Sequence, residues 1–154
     1  MSATLPLIRT ASPDDLPALV RLAGQYWSFE KIPGFDAHRI ESLLRAALFA
    51  DGHARCWLAA EAGEVGGYLL AVLVFSLEHG GMMAEIDEFF VAPAFRRRGV
   101  GAALLLEAEN ALQKSGVTRM QLQLGSGNED ARDFYGARGY GRRSGFELWD
   151  KALP

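Results

Sequence analysis

Residues 89–105, FFVAPAFRRRGVGAALL, pass without a gap from an unbroken apolar run to the spacing of a helix. Pro93 and its neighbours stop the run after Val91, and Gly99 and Gly101 open the next element. A buried strand that turns straight into a helix must cover an apolar face on each, and layered α/β architectures do so. Arg96, Arg97 and Arg98 sit at the join.

The rest of the chain shows the same alternation of periods. TLPLIR reads as a first strand, and SPDD then supplies Ser12 as helix N-cap, Pro13 at the first helical position and acids in the first turn. That helix is expected to run to about Trp27, and EKIPGFD breaks it. Asp36 caps a second helix, striped by Ile40, Leu43, Leu44, Ala47 and Leu48. ARCWLAAE and GGYLLAVLVFS read as strands joined by a tight turn, and MAEIDEFFV as a further strand. A long helix fits Gly99 to about Lys114, RMQLQL alternates as a strand, and Asn128 caps a short helix through Ala137. GYGRRSGFELWDK is expected to end the sheet as a strand pair. The order predicts a mixed α/β sheet with helices on both faces, in one domain over residues 1–154.

Composition narrows the classes of function. The net charge is −3, so the three arginines are a local feature on a mildly acidic chain, and a general nucleic-acid binder is not expected. The longest apolar run, Tyr68 to Phe75, is far short of the roughly 20 residues a membrane helix needs. No basic start leads into a long apolar stretch, so a soluble cytoplasmic protein is the expectation. Cys56 is the only cysteine, which excludes an intrachain disulfide, and its apolar strand pattern predicts a buried, inert thiol. His38, His53 and His79 lie apart without ligand spacing, so no metal is expected.

One strand breaks its own pattern. Strict alternation puts Ile86, Glu88 and Phe90 on one face and Glu85, Asp87, Phe89 and Val91 on the other, with no clean apolar side. One extra residue near 87 or 88 would bring Ile86, Phe89 and Val91 together, and such bulges often sit beside active sites. A strand buried on both faces would tolerate the mixed pattern equally.

The turn from Arg96 to Ala102 has the makings of an anion cradle. The first amides of a helix have no intrahelical partner, and the aligned peptides put roughly +0.5 charge there, which suits phosphate groups. Glycine lets a ligand approach the backbone, and arginines add charge-assisted bonds. The lysine and hydroxyl residue of a Walker A loop are absent, as is the three-glycine dinucleotide fingerprint. A solvated basic turn with packing glycines remains the plain alternative.

The run Arg96-x-x-Gly99-x-Gly101-Ala102 after EFFVAP resembles the acetyl-CoA signature of the GNAT N-acetyltransferase superfamily. GNEDARDFYGARGY, residues 127–140, resembles that family's N-x-x-A-x-x-F-Y-x-x-x-G-F segment, with Tyr140 in place of the usual Phe. The resemblance covers nearly the whole chain and implies a sheet of about six to seven strands, splayed between strands 4 and 5. It implies acetyl-CoA as cosubstrate, with Arg96, Arg97, Arg98, Gly99, Val100, Gly101 and Ala102 cradling its pyrophosphate. Phe89, Phe90 and Val91 match positions that flank the pantetheine arm, and Asn128 matches an asparagine that bonds it. Tyr135 matches the tyrosine that protonates the departing thiolate. Asn128 as a plain N-cap and Tyr135 as an ordinary core residue are the alternatives.

The implied reaction is direct attack by a primary amine, with Val91 N–H as oxyanion donor. Glu88 or Asp87 is the candidate base, directly or through a water, with Glu85 behind them. These acids also attract a cationic amine. DEFFVAPAFRRRGVG resembles the matching stretch of spermidine/spermine N-acetyltransferases, and Tyr26, Trp27, Phe29 and Phe35 are candidates to line the acceptor pocket. The acceptor is either a small cationic amine or a peptide or protein amine. Members of the family are often homodimers, which makes a homodimer an option here. A non-catalytic acyl-CoA sensor and a nucleotide-phosphate binder would use the same cradle.

Overall fold

The computed structural model describes residues 4–154 in two compact units, one extending to Leu122 and a smaller one, Gln123–Pro154. In the larger unit, strands β1 (Leu7–Thr10), β2 (Ala54–Glu61), β3 (Glu64–Ser76), β4 (Gly81–Val91) and β5 (Met120–Leu122) form one sheet in that order. Neighbours pair antiparallel from β1 to β4. Strand β5 joins β4 in parallel, because helix α3 (Val100–Lys114) carries the chain back, the crossover such a neighbour requires.

Ser12 and Pro13 open a 3-10 turn, Pro13–Asp15, which runs directly into helix α1 (Leu16–Phe29), so the α-helix itself starts three residues later than they predict. Ser12 donates its N–H (2.7 Å) and hydroxyl (3.1 Å) to Asp15, whose carboxylate also takes the Arg9 fork at 2.7 and 2.8 Å. That bidentate pair ties β1 to the head of α1 and holds the Asp15 carboxyl down at about 2. Helix α2 (Ala37–Phe49) is capped by Asp36, which accepts the Arg39 N–H at 2.9 Å. Cys56, Leu58, Tyr68, Leu70 and Phe90 form one face of the sheet, beneath Leu19, Leu22 and Ala23 of α1. The opposite face meets α3, whose Leu104 lies over Gly67 so closely that a Cβ there would come within 3.3 Å. Full burial of one leucine stabilises by roughly 1.5–3 kcal/mol, and Leu16, Leu19, Leu22, Leu104 and Leu105 are all buried.

Two bulges shape this sheet. Pairing of β2 with β3 slips between Ala59 and Ala60, which leaves Gly66 as the surplus residue. The ring of Phe95 occupies the space where a Cβ on Gly66 would stand. Pairing of β3 with β4 slips between Leu70 and Ala71, which leaves Asp87 surplus. With that slip, Ile86, Phe89 and Val91 oppose Ala71, Leu69 and Gly67 on the α3 face, as the broken alternation predicts.

The smaller unit contains helix α4 (Glu129–Gly136), on which Tyr135 is buried. Among the described residues the sheet has five strands, not six to seven, and GYGRRSGFELWDK contains no strand. Alternation makes a strand only where a neighbour accepts its ladder. Here Gly139 and Gly145 turn the backbone at φ 88° and 86°, and Phe146, Leu148 and Trp149 stay exposed.

Candidate active site

The bulge decides where the β4 carboxylates point. Glu88 opposes Leu70 and Phe90 opposes Tyr68, so both face α1 and α2. One Glu88 oxygen accepts the Tyr68 hydroxyl at 2.8 Å and the other accepts the Trp27 indole N–H at 2.6 Å. Burial pushes the Glu88 carboxyl above its usual range, the two hydrogen bonds pull against that, and the Asp87 charge adds to the rise. Asp87, surplus and partly exposed, is raised too, by burial first and then by Glu85. The Tyr68 hydroxyl is pushed far up by burial and by Glu88, so it stays a donor. Tyr26 is raised to about 12, chiefly by burial and then by the charges of Glu30, Glu88 and Asp87. Two lone pairs on each carboxylate oxygen mean that Glu88 can still accept a proton while holding both donors.

The last β4–β5 pair is Ile86 with Leu122, and β4 itself runs on to Val91. The divergence between strands 4 and 5 that the resemblance implies would begin after this pair. Ala92 N–H donates to Gly66 O at 2.8 Å, so by the antiparallel alternation Phe90 also turns its backbone toward β3. Val91 turns its backbone the other way, where its carbonyl accepts Arg96 Nε at 2.7 Å, and by the same alternation its N–H points away from β3. The Phe90 side chain packs on the α1 side, 6.0 Å from the Tyr26 ring centroid.

The arginine–glycine turn is a short 3-10 helix, Pro93–Phe95, then a kink into α3. Phe95 is buried and seated over Gly66, which anchors the turn to the sheet. Gly99 is the N-cap at φ 76° and Arg97 sits at φ 59°, so two left-handed residues swing the chain into the helix. The first helical bond is Ala103 N–H to Gly99 O at 3.0 Å, so the amides of Val100, Gly101 and Ala102 precede the ladder. The three arginines divide their work. Arg98 forks onto Glu61 at 2.7 and 3.0 Å and bonds Thr4 O, while Arg96 lies over the rings of Phe29 and Phe90. Arg97 is exposed at the mouth of the turn.

In the smaller unit, Asn128 caps α4 by accepting the Ala131 N–H at 3.1 Å, which leaves its amide NH2 as a donor. Tyr135 stands edge-on to Phe134 and Tyr140 at 5.2 and 5.4 Å. Phe134 is half-buried with the Arg138 guanidinium over it at 3.9 Å.

The aromatic segment between the first two helices contributes unevenly. Trp27 reaches Glu88 and stacks edge-on with Phe35 at 5.6 Å, whereas Phe29 is 63% exposed beneath Arg96. Trp27, Tyr68, Asp87 and Glu88 border a cavity of about 220 Å3 beneath α2. Cys56 also borders it, buried, its thiol pushed up by burial and out of reach of ionisation. Tyr68 is the site residue that sequence reasoning missed. The available signal was a polar-tipped residue inside an apolar strand, which needs a hydrogen-bond partner when buried. Among the described residues no three His, Cys, Asp or Glu side chains gather as a metal site would require.

Fold and site together define an α/β domain in which a bulged strand carrying a half-buried carboxylate leads through an arginine–glycine turn into the start of a helix. The profile described as the Acetyltransferase (GNAT) family matches residues 16–140, and the chain belongs to that family. It is 31% identical over 148 residues to the Uncharacterized N-acetyltransferase YhfO of Bacillus subtilis (strain 168), covering 96% of this chain and 97% of that one. It is 33% identical over 95 residues to the Aminoalkylphosphonate N-acetyltransferase of Salmonella typhimurium (strain LT2), covering 62% of each. The structure of AAC(6')-Iy in complex with the bisubstrate analogue CoA-S-monomethyl-acetylneamine superposes with a TM-score of 0.81. At 21% identity over 97% of this chain and 100% of that one, this likeness is one of fold.

Proposed function

We propose that the protein transfers the acetyl group of acetyl-CoA to a primary amine by direct attack. The observation that carries this reading is the bulge at Asp87: it turns the Glu88 carboxylate toward α1 and α2 on the stretch of β4 that leads directly into the arginine–glycine turn. An extended pantetheine arm would lie along that stretch as an added strand would. The amides of Val100, Gly101 and Ala102, with Arg97 outside them, suit a pyrophosphate, and Gly99 adds no side chain of its own there. Asn128 would reach the arm through its free amide donors.

When bound, acetyl-CoA supplies an activated acetyl carbon on a sulfur leaving group. The chain's residues do the rest. Glu88 takes the proton from the ammonium form of the acceptor, directly or through a water, and Asp87 adds negative potential beside it. The amine nitrogen bonds to the acetyl carbon as the carbon–sulfur bond breaks. Val91 N–H faces the oxygen that gathers charge, and Tyr135 gives its proton to the departing thiolate. The new amide nitrogen gives up its second proton to solvent, which also takes the first proton from Glu88 and restores the tyrosine.

Thiol release from acetyl-CoA, followed with a panel of primary amines, tests the reading. Amine-dependent release is expected, and Tyr135→Phe should lower kcat by roughly 10- to 1,000-fold, on the scale of general acid catalysis, with CoA affinity kept. Tight CoA binding without amine-dependent release would turn the protein into an acyl-CoA sensor. Preference for ATP over CoA in thermal stabilisation would defeat both.

A further inference from the structure

The cavity under α2 has a one-sided chemistry. Leu19 and Ala23 of α1, Ile40 and Leu44 of α2, and Leu70 and Val72 of β3 line its length. Among the described residues its only carboxylates are Asp87 and Glu88, and no lysine, arginine or histidine lines it. Helix α2 forms the roof without burying a single residue, so the space beneath it is not closed by tight packing. Glu88 belongs to no ion pair among the described residues, and both of its partners, Trp27 and Tyr68, are neutral donors. A recessed carboxylate held by neutral donors alone is a site for a cation.

We propose that the acceptor is a primary monoamine whose ammonium group meets Glu88 and whose uncharged alkyl or aryl body fills the cavity. The proposal rests on the amine-acetylation reading above. A polyamine would bring a second cation among Leu70, Val72 and Ile40, where no carboxylate waits. A phosphonate-tailed amine would bring an anion to walls without a cation, beside two carboxylates. At about 220 Å3 the cavity is smaller than the roughly 300–1,000 Å3 of drug-sized ligand sites, too small for an aminoglycoside body. The assignment thus departs from the polyamine suggested by DEFFVAPAFRRRGVG and from the substrates named for the relatives.

Hexylamine, hexamethylenediamine and aminoethylphosphonate, compared by kcat/KM for thiol release, test it. Hexylamine should exceed both others by at least about tenfold, the discrimination an apolar pocket can provide. Leu43 lines the cavity yet is 53% exposed, so Leu43→Glu is compatible with folding and puts a carboxylate on the far wall. That variant should narrow the gap between hexylamine and the diamine. Hexylamine titrated into the protein alone should also change the fluorescence of Trp27, which contacts Glu88. If the diamine or the phosphonate is acetylated as well as or better than hexylamine, the apolar-body assignment is overturned and the acetylation reading stands. If hexylamine changes the fluorescence but no amine accelerates thiol release, the pocket stands and the acetylation reading falls. If no amine does either, both fall.

Discussion

At the scale of single residues, Glu88 carries the sharpest consequence. As a base it works only when ionised, and burial holds its carboxyl above the ordinary value of about 4.3. Activity should therefore fall on the acid side at a pH higher than a free glutamate would give. In a pH profile of kcat/KM, Glu88→Gln should erase that acidic limb and lower the plateau by roughly 100-fold or more. A limb unchanged in the variant would assign it to Asp87 or to the amine. Glu88 was legible as a candidate because it stands in a strand whose alternation fails. Its partners were not, since Trp27 lies 61 positions away and Tyr68 lies 20. Arg98 teaches the same lesson: one of three adjacent arginines in the sequence, it is committed to Glu61 across 37 positions. Local pattern marks a charged residue as noteworthy, but only the fold says which charge it meets.

Elements were easier to read than partners. The junction between β4 and α3 follows from Pro93, the glycines and the change of period, all of them local. The terminal strand pair failed because alternation within a segment says nothing about whether a neighbour will pair with it. The turn itself depends on a contact that no local pattern carries, the seat of Phe95 over Gly66. Gly66→Ala would drive a methyl into the base of that ring, and overpacking of this kind costs about 1–3 kcal/mol. Urea denaturation should show that loss, and CoA titration should show weaker binding because the cradle shifts with Phe95. A variant as stable as the parent would mean that the ring relocates freely and that the turn has another anchor.

For the molecule as a whole, the acids pull stability in opposite directions with pH. Asp15 is held at about 2 in the folded chain, below its ordinary value of about 3.9. Its contribution is therefore complete above about pH 4 and disappears as the pH falls toward 2. Glu88 and Asp87 are raised, so their ionisation favours the unfolded chain, and that burden lifts as they take up protons on acidification. Asp15→Asn should lose roughly 1.5–3 kcal/mol at pH 7, the scale of hydrogen bonds to a charged group. Denaturation near pH 2 should find the variant and parent nearly equal, and a gap of the same size there would rule the mechanism out. Asp87 has a consequence of another kind. Because it is the unmatched position in β4, deleting it would leave Ile86, Glu88, Phe89 and Phe90 each on its present side while straightening the ribbon. The turn that follows β4 would shift by one residue, and the shortened protein should melt no lower than its parent yet gain no heat resistance from added CoA. One unmatched amino acid would thus set the phase of everything the strand hands on to the helix.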